Sequence, residues 1–210
     1  TFGQETLGAY KAATTVKVSE ELLYDSVFNL EAYISQEFAR RIGSLEEEAF
    51  LVGDGTGKPT GVFNSAQTGV TSASASAINF DDIFDLFYSL KAAYRKNGIW
   101  ICNDTTVKAL RKLKDANGQY LWQPSVSAGT PDMLLNRPIK TSSYAPEIQT
   151  GKTPIIFGDF SYYWIADRQG RSFKKLAEIY SETDEVGFKT TERVDGKLLL
   201  PEAVKSIKMA

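Results

Sequence analysis

Four carboxylates, Glu178, Glu182, Asp184 and Glu185, fall within eight consecutive positions. Two carboxylates can divide general acid and general base work when their surroundings push their pKa values apart. The same cluster also arises on solvated strand edges, and nothing near it selects a catalytic pair. A second candidate is GDGTGKPTG at residues 53–61, with four glycines in nine positions. A phosphate loop needs Gly five positions before the Gly-Lys pair, but Val52 stands there, and Pro59 replaces the Ser or Thr that would hold a metal ion. The dinucleotide fingerprint fails because Thr60 occupies its last glycine position. The segment also follows an expected helix C-terminus, whose dipole repels anions. We therefore read it as a structural turn. Lys108, Arg111, Lys112 and Lys114 line one face of a short segment. That run is either a solvated face or a nucleic-acid patch, and a net charge of -2 gives the latter no support. The residue types themselves exclude most other chemistry. The chain has no histidine, and Cys102 is its single cysteine. Zinc sites built on His and Cys, Ser-His-Asp triads and Cys-His pairs are excluded. Cys102, in the apolar run IWIC, reads as a small core residue. No metal site and no cofactor site is expected.

These residues need elements to hold them. The 210 positions, 42% hydrophobic and 12% aromatic, are enough for a real core in one large or two small domains. No apolar run approaches the ~18 residues of a membrane span. The chain opens on TFGQETLG, which lacks the features of a signal peptide and reads like the interior of a longer polypeptide. Residues 11–18 alternate as a strand. Ser19 caps a short helix over 20–24, and Asp25 and Ser26 offer a second cap. Beyond them Val27, Leu30, Ile34, Phe38, Ile42, Leu45 and Ala49 recur at steps of three and four, the buried stripe of a long helix over 27–52. Gly43 and Ser44 could bend it, and Gly53 ends it. Residues 68–77, rich in Ser, Ala and Thr, read as a loop or linker. Asp81 or Asp82 starts a second helix, 80–97, with Ile83, Phe84, Phe87, Leu90 and Tyr94 on its stripe and Gly98 as its stop. Residues 99–102 form a buried strand, and Asn103 or Asp104 caps a helix to about Leu113. Asn117-Gly118 is a turn. Strands follow over 154–157, 162–167, 172–180 and 185–194. Asp195-Gly196 reads as a hairpin turn into 197–200, and 204–209 forms a last strand.

The order of segments carries a resemblance. VSEELLYDS (18–26) is followed by NLEAYISQEFARRIGSLEEEAFLVGDGTGKPTGVF (29–63), LKDANGQYLWQP (113–124), PIIFGDFSYYWIADRQG (154–170) and TERVDGKLLLPEAV (191–204). In this order the chain resembles the major capsid proteins of tailed bacteriophages, the Hong Kong 97-type shell fold, over essentially all its length. The resemblance implies an α+β subunit in two parts. A peripheral domain, residues 1–61 and 181–210, would carry a spine helix over 29–52 and a long β element. An axial domain, 62–180, would carry a central sheet flanked by helices. It also implies an N-terminal arm and an extended hairpin before the spine, of which residues 1–18 can hold only the returning end. Some members join a lysine to an asparagine autocatalytically with a glutamate as base. Counting back from Glu192-Arg193 places those two positions on Asp184 and Thr191. Thr191 has no carboxylate, so no crosslink is expected.

The function implied is a structural one: a head protein that, in its full-length form, assembles with itself into pentamers and hexamers of an icosahedral shell around DNA. Assembly would take place in the bacterial host cytoplasm. Portal, scaffold and maturation protease would be its partners, its DNA contacts would be non-specific, and no membrane would be involved. Two alternatives remain: the shell of a cellular, encapsulin-like nanocompartment, and a small-molecule-binding α+β domain. The last requires polar groups converging on a concave pocket.

Overall fold

A computed structural model describes residues 6–115, 117–122 and 132–210. Part of TFGQETLG, together with Ala116, Gln123 and Pro124 of LKDANGQYLWQP, lies outside the described residues. Two sheets organise the rest. The first has β1 (Tyr10–Ser19) and β9 (Glu185–Leu198) at its centre, paired antiparallel over ten residues. β7 (Tyr163–Asp167) and β8 (Ser172–Leu176) pair successive stretches of the other edge of β9. The second sheet runs β2-β10-β6-β3-β5-β4. Its strands are β2 (Gln67–Thr71), β3 (Ile99–Cys102), β4 (Met133–Leu134), β5 (Arg137–Thr141), β6 (Ile155–Gly158) and β10 (Val204–Lys208).

The helices form where their caps say they should, with corrections. Ser19 caps α1 (Glu20–Asp25), its hydroxyl accepting from the Leu22 amide. The long helix, α2 (Leu30–Val52), starts three residues later than the stripe suggested. Asn29 is the cap, its side chain accepting from the Ala32 amide at 3.0 Å, so neither Asp25 nor Ser26 serves. Phe28 packs edge-on against Tyr33, with ring centroids 6.0 Å apart. That is the staple between the residues flanking a first helical turn, and it sets the entry angle of the chain. Val27 is left outside, fully exposed. α2 runs unbroken through Gly43 and Ser44 and ends at Gly53. It buries Ile34, Phe38 and Ile42. Leu45, expected to be buried, is 53% exposed. At this level the helix turns Glu46 toward the sheet instead.

Two other expectations of continuity fail. The helix expected over 80–97 is two: α4 (Phe80–Ser89) and α5 (Ala92–Arg95), after the short α3 (Val62–Ser65). Leu90 leaves the helix in an extended conformation (φ -85°, ψ 135°) and fills the core at 1% exposure. Burial of that side chain outweighs one more turn of helix. The cap of α4 is Asn79, and Asp82 closes a capping box by accepting from the Asn79 amide. Asp195-Gly196 is not a hairpin turn, since β9 passes straight through it. Asp195 accepts from the amides of Gly8 and Gly196. A Cβ on Gly196 would lie 2.5 Å from the Tyr163 hydroxyl and 2.8 Å from Phe50. The glycine is there for close approach, not for a turn. The first part of the expected 68–77 loop is strand β2, which pairs parallel with β10. The strand expected over 172–180 stops at Leu176.

Asn103 caps α6 (Asp104–Arg111), its side chain accepting from the Thr105 amide at 2.9 Å. Between α4, α6 and the six-stranded sheet lies the main core, built on Trp100, Phe157, Leu86, Leu110 and Ile207. A smaller cluster joins α2 to the four-stranded sheet through Ile34, Phe38, Val186 and Phe188. Sheet membership does not follow the expected domain boundary at residue 180. β7 and β8 belong with β1 and β9, whereas β10 lies inside the six-stranded sheet.

Candidate functional site

The glycine-rich loop is a clasp. Asp54 and Thr60 form an isolated antiparallel bridge, and the Gly61 amide donates to the Gly53 carbonyl at 2.8 Å. Gly55 and Gly57 take left-handed backbone (φ +79° and +69°). The Asp54 carboxylate accepts from the Thr56 amide at 2.9 Å, and that bond holds its pKa below the usual carboxylate value. A carboxylate that takes the loop's own amide opposes phosphate binding. The loop's outward bonds go to the four-stranded sheet. The Thr60 amide donates to the Gly196 carbonyl at 3.1 Å, and the Tyr163 hydroxyl donates to the Thr60 carbonyl at 3.0 Å.

Of the clustered carboxylates of 178–185, that of Glu185 is bonded locally. Asp184 sits in left-handed backbone (φ 51°), and its carbonyl accepts from the Glu20 amide at 2.9 Å. Glu185 pairs with Lys17 at 3.3 Å and accepts from the Thr183 hydroxyl at 3.0 Å. Thr191 lies on β9, its hydroxyl 2.6 Å from that of Ser172. Thr191 stands opposite Ser172 at one end of the β8 pairing, whereas Asp184 precedes β9 beyond its other end. Cys102 is fully buried, and burial pushes its thiol up to about 12, so it is inert at neutral pH. The basic run at α6 is partly absorbed, with Lys108 and Lys112 left exposed. Arg111 pairs with Asp132 and lies over the Trp122 ring, and Lys114 lies over Tyr120.

The most unusual electrostatic feature has no local sequence signal. Arg171, just before β8, donates to Glu192 at 2.9 Å and to Glu46 of α2 at 2.6 Å. Glu192 is 3% exposed, and its second oxygen has no hydrogen-bond partner. Burial and the neighbouring Glu192 raise the pKa of Glu46. Two carboxylates thus share one guanidinium and seam the long helix to the sheet. Only the inward register position of Glu192 on an alternating strand could have hinted at it.

Among the described residues, no group of three His, Cys, Asp or Glu side chains could hold a metal ion. The concavities are open, the roomiest of them, about 700 Å³, being lined by Asn64, Thr68, Glu147, Lys152, Ser206 and Lys208. One groove of about 380 Å³ lies between β1 and the end of α2, lined by Ala12, Leu45, Ala49, Phe50 and Pro59 with Glu46 and Lys58. A smaller one, about 260 Å³, is lined by Lys11, Arg168, Ser172, Lys174, Thr191 and Arg193. Register places Lys11 opposite Arg193 and Lys174 opposite Lys189, on the sheet face away from α2. None of Lys11, Arg168, Lys174, Lys189 and Arg193 forms an ion pair among the described residues.

The family model described as the phage capsid family matches residues 1–209. No curated protein sequence matches the chain. Among solved structures, the capsid of the native GTA particle, computed with C5 symmetry, is 31% identical. It superposes with a TM-score of 0.89 over 97% of this chain and 73% of its own. A chain from Gordonia phage Cozz, 14% identical, has the same fold with a TM-score of 0.73, over 98% of this chain and 71% of its own. So has the SrpI encapsulin from Synechococcus elongatus PCC 7942, at 13% identity and a TM-score of 0.70, over 95% of this chain and 73% of its own.

Proposed function

The chain belongs to the phage capsid family, and from that premise we propose that it is the major head protein of a tailed phage or prophage. It builds an icosahedral shell of pentamers and hexamers around a DNA genome. It is a structural protein, and its work is done by interfaces. The observation that carries the reading is the match over residues 1–209 joined to 31% identity with a capsid chain along nearly the whole length.

The division of labour follows the sheets. The four-stranded sheet with α2 forms the peripheral unit, and the six-stranded sheet with α4 and α6 the axial one. Portal, scaffold and maturation protease are its partners during assembly in the host cytoplasm, and DNA is contacted without sequence preference. Encapsulin shells share the fold, but their likeness here is 13% identity and carries the fold alone. Negative-stain microscopy of the full-length protein is the direct test. Closed shells or curved rings of subunits are expected, and particles that never exceed a monomer at any concentration would sink the reading.

We propose further that the shell is not covalently crosslinked. Thr191 offers a hydroxyl bonded to Ser172 where a base is needed, and Asp184 a carboxylate where an amide is needed. A boiled denaturing gel of assembled particles should show monomer mass alone. A covalent ladder would overturn this assignment.

A further inference from the structure

The cavity of about 260 Å³ on the four-stranded sheet gathers charge of one sign. Register sets Lys11 of β1 opposite Arg193 of β9, and Ser172 of β8 opposite Thr191. Lys174 lies two positions beyond Ser172 and so on the same face. The turn joining β7 to β8 passes through Gln169 and Gly170, both in left-handed backbone (φ +75° and +62°). It is pinned where the Arg168 amide donates to the Arg193 carbonyl at 2.8 Å, and it brings Arg168 to the same cavity. We propose that this cavity binds a small phosphate-chain anion, inorganic triphosphate or the phosphate tail of a nucleotide. The proposal concerns the single chain and stands apart from the shell reading.

Charge, donors and size each narrow the ligand. Lys11, Arg168, Lys174 and Arg193 are exposed and have no ion-pair partner among the described residues. The one acid among the described lining residues, Glu192, turns its side chain to the α2 side of the sheet and holds Arg171 there. Asp167 and Asp195, close in sequence, are committed as well. Asp167 accepts from the Gly170 amide at 3.2 Å, and Asp195 from the amides of Gly8 and Gly196. Cations that share one concavity repel one another and focus their field on it. A single carboxylate would leave most of that charge unmatched, whereas a phosphate chain carries several charges on a compact frame. The two guanidinium groups offer planar donor forks that fit phosphate oxygens in pairs. The Ser172 and Thr191 hydroxyls lie 2.6 Å apart, so one donates to the other and the second keeps its own O–H to give. The volume falls below the ~300–1,000 Å³ of sites for drug-sized ligands and suits a compact ion. A DNA duplex carries its phosphates on a convex surface and cannot enter a cavity of this size.

The test is calorimetric titration of the chain at low salt with sodium triphosphate, orthophosphate, ATP and random-sequence duplex DNA. Triphosphate should bind at a single site per chain, at least tenfold more tightly than orthophosphate, with an affinity that falls as salt rises. ATP binding as tightly as triphosphate would assign the phosphate chain alone, and tighter binding of ATP would assign a nucleotide; either supports the site. Arg168→Gln/Arg193→Gln should weaken triphosphate at least tenfold while melting no lower than wild type without ligand. Lys108→Gln/Lys112→Gln removes the same charge from exposed positions at α6 and should leave the affinity unchanged. A wild-type chain that takes up no triphosphate, or equal weakening by the two double variants, would overturn the proposal. So would duplex DNA that binds through Arg168 and Arg193 more tightly than triphosphate does, since the face would then be a nucleic-acid surface.

Discussion

In the six-stranded sheet Trp100 and Phe157 stack with ring centroids 4.1 Å apart, both fully buried, and Phe87 stacks on Phe157 at 5.3 Å. The Trp100 indole N–H still finds an acceptor, the Leu134 carbonyl at 2.9 Å. In the four-stranded sheet the matching layer is thin: Ile34 and Phe38 on Val186 and Phe188. Beyond Ile42 the seam is mixed, with Arg171 between Glu46 and Glu192 and, further on, Phe50 packed edge-on against Tyr163. One sheet is closed by its own helices. The other has a helix on one face and cations on the opposite face. A region with its own core is stable alone, whereas a thin two-layer region holds its shape with less margin and leaves faces for neighbours.

Four measurements bear on that contrast. Trp100→Ala should have the largest effect, about 3–5 kcal/mol in urea denaturation, because it opens a cavity and leaves the Leu134 carbonyl unpaired. A midpoint shift much below that would mean that the six-stranded sheet is not the main core. Ile34→Ala should cost about 2–5 kcal/mol, while Leu45→Ala on the same helical stripe should cost about 0.5 kcal/mol or less. Equal costs would show that the small core extends to Leu45. Arg171→Met should destabilise by about 2 kcal/mol, the low side of a broken buried pair, because Arg171 is itself half exposed while Glu192 is buried. No loss would show that water already reaches Glu192.

The smallest effect comes from Glu46→Gln, and its sign is fixed by the raised pKa. A carboxyl whose folded pKa lies above its unfolded value contributes stability below the unfolded pKa and loses it as pH rises through the folded one. Wild type should therefore lose stability relative to the variant as pH climbs above the usual value of 4.5. The variant should melt slightly higher at pH 7 and level with wild type near pH 4. A variant that melts lower at pH 7 would mean that attraction to Arg171 outweighs burial and repulsion from Glu192.

Local signals in the sequence located what local forces decide. The caps at Ser19 and Asn103, the end of the long helix at Gly53 and the burial of Cys102 all follow from neighbours within one turn or strand. The resemblance over 29–63 and 154–170 supplied the fold and the family. Failures came where a distant contact overrode the local preference. Asp195-Gly196 looks like a turn, yet Tyr163 and Phe50 pack against that glycine. Leu90 sits on a helical stripe, yet the core draws it into extended backbone. Surface chemistry was least legible. In the basic run at α6, adjacent in sequence, Arg111 and Lys114 are taken up by Asp132, Trp122 and Tyr120, whereas Lys108 and Lys112 stay exposed. The unpaired cations come from β1, β8, β9 and a loop, and only strand register brings them together.

β10 has a consequence for how the molecule folds. It lies between β2 and β6, pairing Lys205 with Gln67 on one side and with Phe157 on the other. β1 likewise waits for β9, with Tyr10 opposite Val194. Each sheet is therefore stitched from strands well over a hundred positions apart. Such pairings must bear the entropy of closing long loops before their contacts form, which slows folding relative to helical proteins of the same size. Until β10 arrives, β2 and β6 each keep an unpaired edge that can recruit strands from other molecules. The molecule is thus most prone to premature, disordered association while it folds, before the surfaces it uses for ordered association are complete.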